Sequence, residues 1–490
     1  MSHPPATGIF CNRTLNLRSV KVIGYDMDYT LVHYRVEEWE RSAFEHARSR
    51  LAARGWPVDD LIFEPERFTL GLVFDLATGN LVKATRFGYV VRALHGTHLL
   101  DFDSQREAYA ETVVELSSER FEFMNTLFEL SRAALWTQLV DQHDAGRLPG
   151  VMSYHDLYWQ IDDALGWAHA EGMLKAEILA DPERFIDPNP EIVPTIVDQR
   201  LAGKKIVLIT NSDWAYTRAT MARAIDAYCA EGTTWRDLFD LVIVSAAKPR
   251  FFADRDPIYR VVDEERSLLQ PHFGPLIKGE VYFGGHARLV EEWSGLTPAQ
   301  MLYVGDHLFG DVHVTKDILR WRTALISREL EAEVDDAIAF APQERQLIEL
   351  MRQKVAVEQR QATLRMERRR AIASGDPIVD IERSLAGAGA DATRLDGEVA
   401  PLAKAATQLG NPNWGPLMRA GNDKSLFARQ VERYADVYLS RVSNFRHVTP
   451  YAYLRAARGS LPHDASPLFD DGQGVDAHGA DDTGGVGDDT

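Results

Sequence analysis

Val22-Ile23-Gly24-Tyr25-Asp26-Met27-Asp28-Tyr29-Thr30-Leu31 is a short apolar run that stops at two carboxylates spaced i, i+2. A near-continuous apolar run of this length reads as a parallel strand buried on both faces, and ligands gather beyond the carboxyl ends of such strands. Here that end carries Asp26 and Asp28. Alternation along a strand turns the two side chains to opposite faces, so both serve one site only if the chain bends away after Asp26. A solvated strand end can also carry two aspartates, so the reading needs partners further along.

Three later runs supply them. Lys204-Lys205-Ile206-Val207-Leu208-Ile209 ends at Thr210-Asn211-Ser212. Asn, Ser and Asp213 are favoured helix N-caps, and a hydroxyl, an amide and free backbone N–H groups at a helix start also form a phosphate cradle. Leu241-Val242-Ile243-Val244-Ser245 leads to Ala246-Ala247-Lys248-Pro249. A lysine there is either a surface charge or, beside two aspartates, the cation that holds a phosphate and offsets their repulsion. Met301-Leu302-Tyr303-Val304-Gly305-Asp306 puts Gly-Asp at a strand end, with Asp311 five residues later. Carboxylates so placed suit Mg²⁺, which prefers oxygen ligands.

Four strand ends in the order D-x-D, T-N-S, K-P and G-D-x4-D resemble the motif series of the haloacid dehalogenase (HAD) phosphohydrolase superfamily. The resemblance narrows through Asp26-Met27-Asp28-Tyr29-Thr30-Leu31, Gly71-Leu72-Val73-Phe74-Asp75, Gly79-Asn80-Leu81-Val82-Lys83 and Asn125-Thr126-Leu127-Phe128. With Gly305-Asp306-His307-Leu308-Phe309-Gly310-Asp311 and Ser425-Leu426-Phe427-Ala428-Arg429-Gln430, these look like the cytosolic purine 5'-nucleotidase family over residues 15 to 462. The resemblance implies an α/β fold: a HAD-like doubly wound parallel sheet (a Rossmann-like core), an inserted helix-rich cap and a helical C-terminal extension. It implies Mg²⁺-dependent hydrolysis of nucleoside 5'-monophosphates, 6-oxopurine nucleotides such as IMP and GMP foremost, with phosphotransfer to nucleosides as a side activity.

The same resemblance assigns roles. Asp26 is the expected nucleophile and Asp28 the proton shuttle. Asp26, Asp28 (through its carbonyl) and Asp306 are the expected Mg²⁺ ligands, and Thr210, Asn211, Ser212 and Lys248 the phosphate-binding set. Asp311 is expected behind them, orienting Lys248 or a metal-bound water. Phe128, His169 and Lys175 match nucleoside-binding positions, although each also reads as an ordinary core or surface residue. Asp162 and Gly166 depart from the pattern, standing where the purine enzymes carry Arg and Asp. Asn125, Phe309, Gln430 and Tyr434 match a nucleotide effector site, while Asp317 replaces its phosphate-facing Lys. A HAD phosphatase for another small ester and a non-catalytic oligomeric scaffold are the alternatives.

Composition sets outer bounds. The 490 residues suit two or three compact units, and 45% apolar with 10% aromatic residues supports a substantial core. A net charge of −19 argues against nucleic acid or an anionic membrane as partner, so a nucleotide must be drawn in by local cations and metal. Two cysteines, Cys11 and Cys229, form no disulfide or zinc pattern, and no apolar stretch has transmembrane length. A cytoplasmic, soluble protein is expected.

Along the chain, residues 1–35 read as an N-terminal arm and first core strand, 36–189 as the cap, and 190–328 as the rest of the core. Residues 329–462 read as the helical extension and 463–490 as a disordered acidic tail. Within the extension, 386–415 are Ala/Gly-rich and expected to be irregular. A helix from Ser425 to Val442 carries Phe427, Val431, Tyr434 and Tyr438 at helical spacing. That apolar stripe predicts a homodimer, and the family resemblance adds a homotetramer built from dimers.

Overall fold

The computed structural model describes residues 7–151, 153–170 and 173–459, so the tail from His463 lies outside the described residues. The chain forms two compact units. One comprises Met1–Ile338 with Thr407–Ala457, and the other is built on Ala339–Ala406.

A ten-stranded mixed sheet organises the first unit. In chain order its strands are β1 (Ile9–Cys11), β2 (Val22–Tyr25), β3 (Lys205–Ile209), β4 (Leu241–Val244), β5 (Ile258–Asp263), β6 (Leu268–Pro271), β7 (Val281–Gly284), β8 (Met301–Gly305), β9 (Arg322–Ile326) and β10 (Val437–Leu439). In space they lie β1-β10-β9-β8-β2-β3-β4-β7-β5-β6. Neighbours from β10 to β7 run parallel, and β1, β5 and β6 add antiparallel edges. Strands β2, β4 and β8 are buried throughout, as two-sided covering requires. Gly24 is what lets β2 and β8 approach: a Cβ there would meet the Tyr303 ring at 2.8 Å. The chain leaves β2 toward β3 and later returns to β8 on the opposite side, so the winding reverses at β2. The crevice beyond the carboxyl ends at such a reversal is where open α/β sheets bind ligands.

The insertion between β2 and β3 holds helices Val36–Ala53, Leu130–Asp144, Tyr154–Ala170 and Met173–Ala180. It also holds a five-stranded antiparallel sheet, larger than the two strand-like pieces at 69–75 and 81–84 that the sequence itself suggests. A Gly-Asn pair between short apolar runs is a hairpin signal, and here Val73–Asp75 pairs with Asn80–Ala84, with Gly79 at φ +74° in the turn.

The second unit is a helical pair, made of helix Leu330–Ser374 from Ala339 onward and helix Val379–Thr407 as far as Ala406, with a small core of Leu350, Leu395 and Val399. Residues up to Thr407 are therefore helical where the sequence suggested irregular chain. The abundant alanines favour helix by more than Gly387, Gly389 and Gly397 disfavour it, and those glycines face open space.

The C-terminal stripe needs a second correction. The helix runs only over Leu426–Tyr434, and Val437–Leu439 is strand β10, inserted between β9 and β1. Asp436 fixes this switch: its buried carboxylate takes Lys316 Nζ at 2.7 Å and the Thr323 N–H at 3.0 Å. Phe427, Val431 and Tyr434 are buried against Leu70, Val73, Phe123, Leu308 and Val312 of the same chain. The stripe thus packs on its own core and offers no argument for a partner. No described helix is long and apolar enough to cross a membrane.

Candidate active site

The carboxyl ends of β2, β3, β4 and β8 converge on one cavity of about 550 Å³. After Tyr25 the ladder continues for one bond, Asp26 N–H to the Val304 carbonyl, and then the chain turns with Thr30 and Leu31 bonded back to Met27. Tyr29 takes the left-handed conformation this turn needs, at φ +54°. The bend brings both Asp26 and Asp28 to the cavity wall.

Lys248 sits at the centre. Its Nζ lies 2.7 Å from Asp26 Oδ1 and 2.7 Å from Asp311 Oδ1, with its side chain 4% exposed. It also donates to the Tyr303 hydroxyl at 3.1 Å, and that hydroxyl donates to the Ile209 carbonyl of β3 at 3.1 Å. The Asn211 side chain clamps the Lys248 backbone from both sides, accepting its N–H at 2.6 Å and donating to its carbonyl at 3.1 Å. The loop after β4 is thereby tied to the loop after β3. Asp311 reaches back under β8, where its Oδ2 accepts the His307 N–H at 3.1 Å. Gly305 makes this possible, since a Cβ there would lie 2.5 Å from the Asp311 carboxyl.

Electrostatics follow from burial. Burial pushes the Asp26 carboxyl up to about 7, with Asp311 and Asp28 adding to the rise and Lys248 opposing it. Asp306 is held well above the ordinary carboxylate range by burial, then by Asp26 and Asp311. Burial works against the Lys248 charge, but Asp26 and Asp311 raise its pKa well above the usual lysine value. Carboxylate oxygens of Asp26, Asp306 and Asp311 all lie within 4.8 Å of one another. With all three carboxyls ionised, as a bound cation would hold them, they outweigh the one ammonium by two charges, the complement of a divalent cation bound through oxygen. The donor set therefore fits a hard divalent cation that prefers oxygen ligands.

Asp28 stands apart from that group. Its Oδ1 accepts the Tyr34 hydroxyl at 2.6 Å and its Oδ2 the Ser212 hydroxyl at 2.8 Å, while Tyr34 and Tyr216 hydroxyls are 3.0 Å apart. Burial raises its pKa and these two hydroxyls counter the rise. Ser212, expected in the phosphate cradle, thus holds the second aspartate. Thr210 is fully buried and its hydroxyl accepts the Ser212 N–H at 3.1 Å, shaping the loop from beneath. Asp213, not Asn211 or Ser212, caps helix Trp214–Ile225.

Further out, Phe128 lines the cavity and packs edge-to-face on Tyr29 (4.5 Å) and Trp39 (5.0 Å). Lys175 also lines it, with Nζ 3.4 Å from Asp213 Oδ2 and 4.8 Å above the Tyr216 ring. The side chain of His169 lies outside the described residues. Asp162 pairs with Arg132, a cavity residue that the sequence reading passed over. Of the residues matched to an effector site, Phe309 and Tyr434 both contact His313, at 5.6 Å and 4.0 Å, and Asp317 pairs with His313 at 3.2 Å. Tyr34, Tyr216, Tyr303 and Arg132 carried no local signal, since each sits in a stretch that also reads as core or helix.

A sequence model described as the 5' nucleotidase family matches residues 9–466, nearly the whole chain. The chain belongs to the 5' nucleotidase family. It is accordingly a 5'-nucleotidase by family, a phosphoric monoester hydrolase. Among curated relatives, the human 5'-nucleotidase domain-containing protein 2 is 28% identical over 485 residues, covering 94% of this chain and 86% of its own length. The rat protein of the same name is 28% identical, covering 94% and 81%. A Dictyostelium discoideum 5'-nucleotidase domain-containing protein is 26% identical, covering 95% and 76%. The similarity thus spans the cap insertion, the sheet and the helical pair alike.

Proposed function

We propose that this 5'-nucleotidase works by HAD chemistry, hydrolysing nucleoside 5'-monophosphates through a phosphoryl group carried on Asp26. The observation that supports this most is the Asp26–Lys248–Asp311 ion triad beside Asp306 on the wall of a nucleotide-sized cavity. In the first step an Asp26 carboxylate oxygen attacks phosphorus and the bond to the sugar 5'-oxygen breaks. Asp28 in its acid form gives the leaving oxygen a proton. In the second, water attacks the phosphorus, Asp28 takes its proton back, and Asp26 is released with inorganic phosphate. Lys248 holds Asp26 in place and offers positive charge to the phosphoryl oxygens as charge builds on them. Mg²⁺, held by Asp26, Asp306 and the Asp28 carbonyl, would supply Lewis-acid charge neutralisation. A nucleoside 5'-hydroxyl in place of water gives phosphotransfer by the same second step.

On this reading 6-oxopurine nucleotides are the preferred substrates, a preference that comes from the family resemblance at Phe128 and Lys175, while Phe128 on the cavity wall supports a stacked base of any kind. The test is phosphate release from a panel of nucleoside monophosphates and sugar phosphates, for wild type and Asp26→Asn. The expected result is nucleotide hydrolysis that the substitution lowers by about a thousandfold or more. An Asp26→Asn enzyme within about tenfold of wild type would exclude Asp26 as nucleophile. Higher kcat/KM for a sugar phosphate than for every nucleotide would move the substrate class to another small ester.

A further inference from the structure

The two oxygens of Asp28 face different surroundings. Oδ1 accepts the Tyr34 hydroxyl at 2.6 Å, and Oδ2 accepts the Ser212 hydroxyl at 2.8 Å. Ser212 lines the cavity together with Asp28, whereas Tyr34 is 1% exposed and forms no part of its wall. Oδ1 is therefore turned into the protein, and Oδ2 is the oxygen on the cavity side. Three features fix the Tyr34 hydroxyl. Its backbone is held where His33–Tyr34 pairs antiparallel with Ile186–Asp187. Its ring packs against Tyr29 at 5.3 Å and Trp39 at 4.6 Å. The Tyr216 hydroxyl lies 3.0 Å from its own. A phenol carries one proton, and Tyr34 gives its proton to Asp28, so Tyr216 is the donor in that contact. The chain Tyr216–Tyr34–Asp28 thus runs in a single direction.

We infer that Tyr34 is a positioning residue for the leaving-group proton: it keeps Asp28 Oδ1 as an acceptor and so holds the transferable proton on Oδ2. The inference rests on the acid role given to Asp28 above and deepens it. A carboxylic acid has one proton for two oxygens. Placed on Oδ1, that proton would meet the Tyr34 O–H, donor against donor in a buried space, and an unmade buried hydrogen bond is costly. Placed on Oδ2, it meets the Ser212 hydroxyl, whose lone pairs let it turn from donor to acceptor. In the first step the proton passes from Oδ2 to the sugar 5'-oxygen as the bond from that oxygen to phosphorus breaks. The bonding pair stays on the 5'-oxygen, and the products are the nucleoside and the Asp28 carboxylate. Tyr34, buried behind Asp28, touches neither the sugar nor the phosphate.

The experiment compares kcat/KM for GMP, glucose 6-phosphate and p-nitrophenyl phosphate with wild type, Tyr34→Phe, Tyr216→Phe and Asp28→Asn. The first two esters lose an alkoxide, which needs the proton, while p-nitrophenolate leaves without one. Because kcat/KM ends at departure of the leaving group, the later return of a proton to Asp28 does not enter it. Phenylalanine keeps the ring packing and removes only the hydroxyl. Tyr34→Phe is expected to lower kcat/KM on the two alkyl esters by about ten- to hundredfold more than on p-nitrophenyl phosphate. Tyr216→Phe frees Tyr34 to turn and gives the same pattern more weakly; it supplies the answer if Tyr34→Phe folds poorly. Asp28→Asn gives the pattern most strongly. Equal losses on all three esters in Tyr34→Phe, or no loss on the alkyl esters, overturn the inference. Equal losses in Asp28→Asn overturn the acid role itself. A wild type active on glucose 6-phosphate but not on GMP overturns the nucleotide reading, and the Tyr34 comparison then stands on the sugar ester.

Discussion

Replacing Glu40 by glutamine should remove a pH dependence of stability whose size follows from the structure. Glu40 lies on helix Val36–Ala53, is fully buried, and accepts the Ser131 N–H at 2.6 Å. It thus caps, from a neighbouring helix, the helix Leu130–Asp144 that carries Arg132. Burial raises its pKa from 4.5 to about 7, with the Ser131 hydrogen bonds opposing the rise. The folded chain therefore holds the Glu40 proton more tightly than the unfolded one. Its contribution to stability is complete below pH 4.5 and is lost as pH rises through 7. A shift of this size corresponds to about 3.4 kcal/mol in all, of which about 2.5 kcal/mol falls between pH 5 and pH 8. The glutamine amide keeps an oxygen for Ser131 and has no proton to lose. Urea unfolding of both proteins, followed by tryptophan fluorescence, should show Glu40→Gln gaining about 2.5 kcal/mol on wild type from pH 5 to pH 8. Glu129, which burial also raises to about 7, is present in both proteins, so the comparison removes its titration except for its repulsion of Glu40. A difference that stays flat across the range refutes the reasoning.

Lys248→Met leaves Asp26 and Asp311 buried without their counter-charge and should cost about 3–5 kcal/mol of stability, measured by chemical unfolding. Adding Asp311→Asn should recover part of that loss while activity stays absent. A chelator should silence phosphate release and Mg²⁺ restore it, with Ca²⁺ a poor substitute; Mg²⁺ alone should also raise the melting temperature, by differential scanning fluorimetry. Gly305→Ala sets a methyl 2.5 Å from the Asp311 carboxyl, so it should displace Asp311 from Lys248 and depress kcat well over tenfold, read by steady-state kinetics.

The parallel core was legible because its strands announce themselves: each is a short apolar run ending at a polar residue. The same signal placed Asp26, Lys248 and Asp306 at strand ends, and the structure brings those ends together. What escaped the sequence depends on contacts across the fold. Tyr303 sits inside the apolar run of β8 and looks like core, yet its hydroxyl links Lys248 to β3. Ser212 looks like a phosphate ligand until Asp28 is found beside it. Val431, Tyr434 and Tyr438 keep a helical period straight through a helix end, because the residue that breaks the helix, Asp436, is stabilised by Lys316 and Thr323 far away in sequence. Glycine count misled at 386–397, where alanine content decides.

Strand β10 has a consequence for how the chain is made. It fills the slot between β9 and β1, so the open edge of Arg322–Ile326 stays unpaired until residue 439 has been synthesised. The whole helical pair lies between those two strands in the chain. At usual translation rates that interval is about 5–20 seconds, far longer than a helical hairpin needs to form. The growing polypeptide therefore presents an exposed parallel edge for seconds at a time, the kind of surface that recruits chaperones or pairs with another nascent chain. A helical pair that folds promptly shortens the floppy tether by which β10 must find its slot, because the chain on either side of the pair is already closed by the Gly410 N–H donating to the Asp336 carboxylate at 3.0 Å.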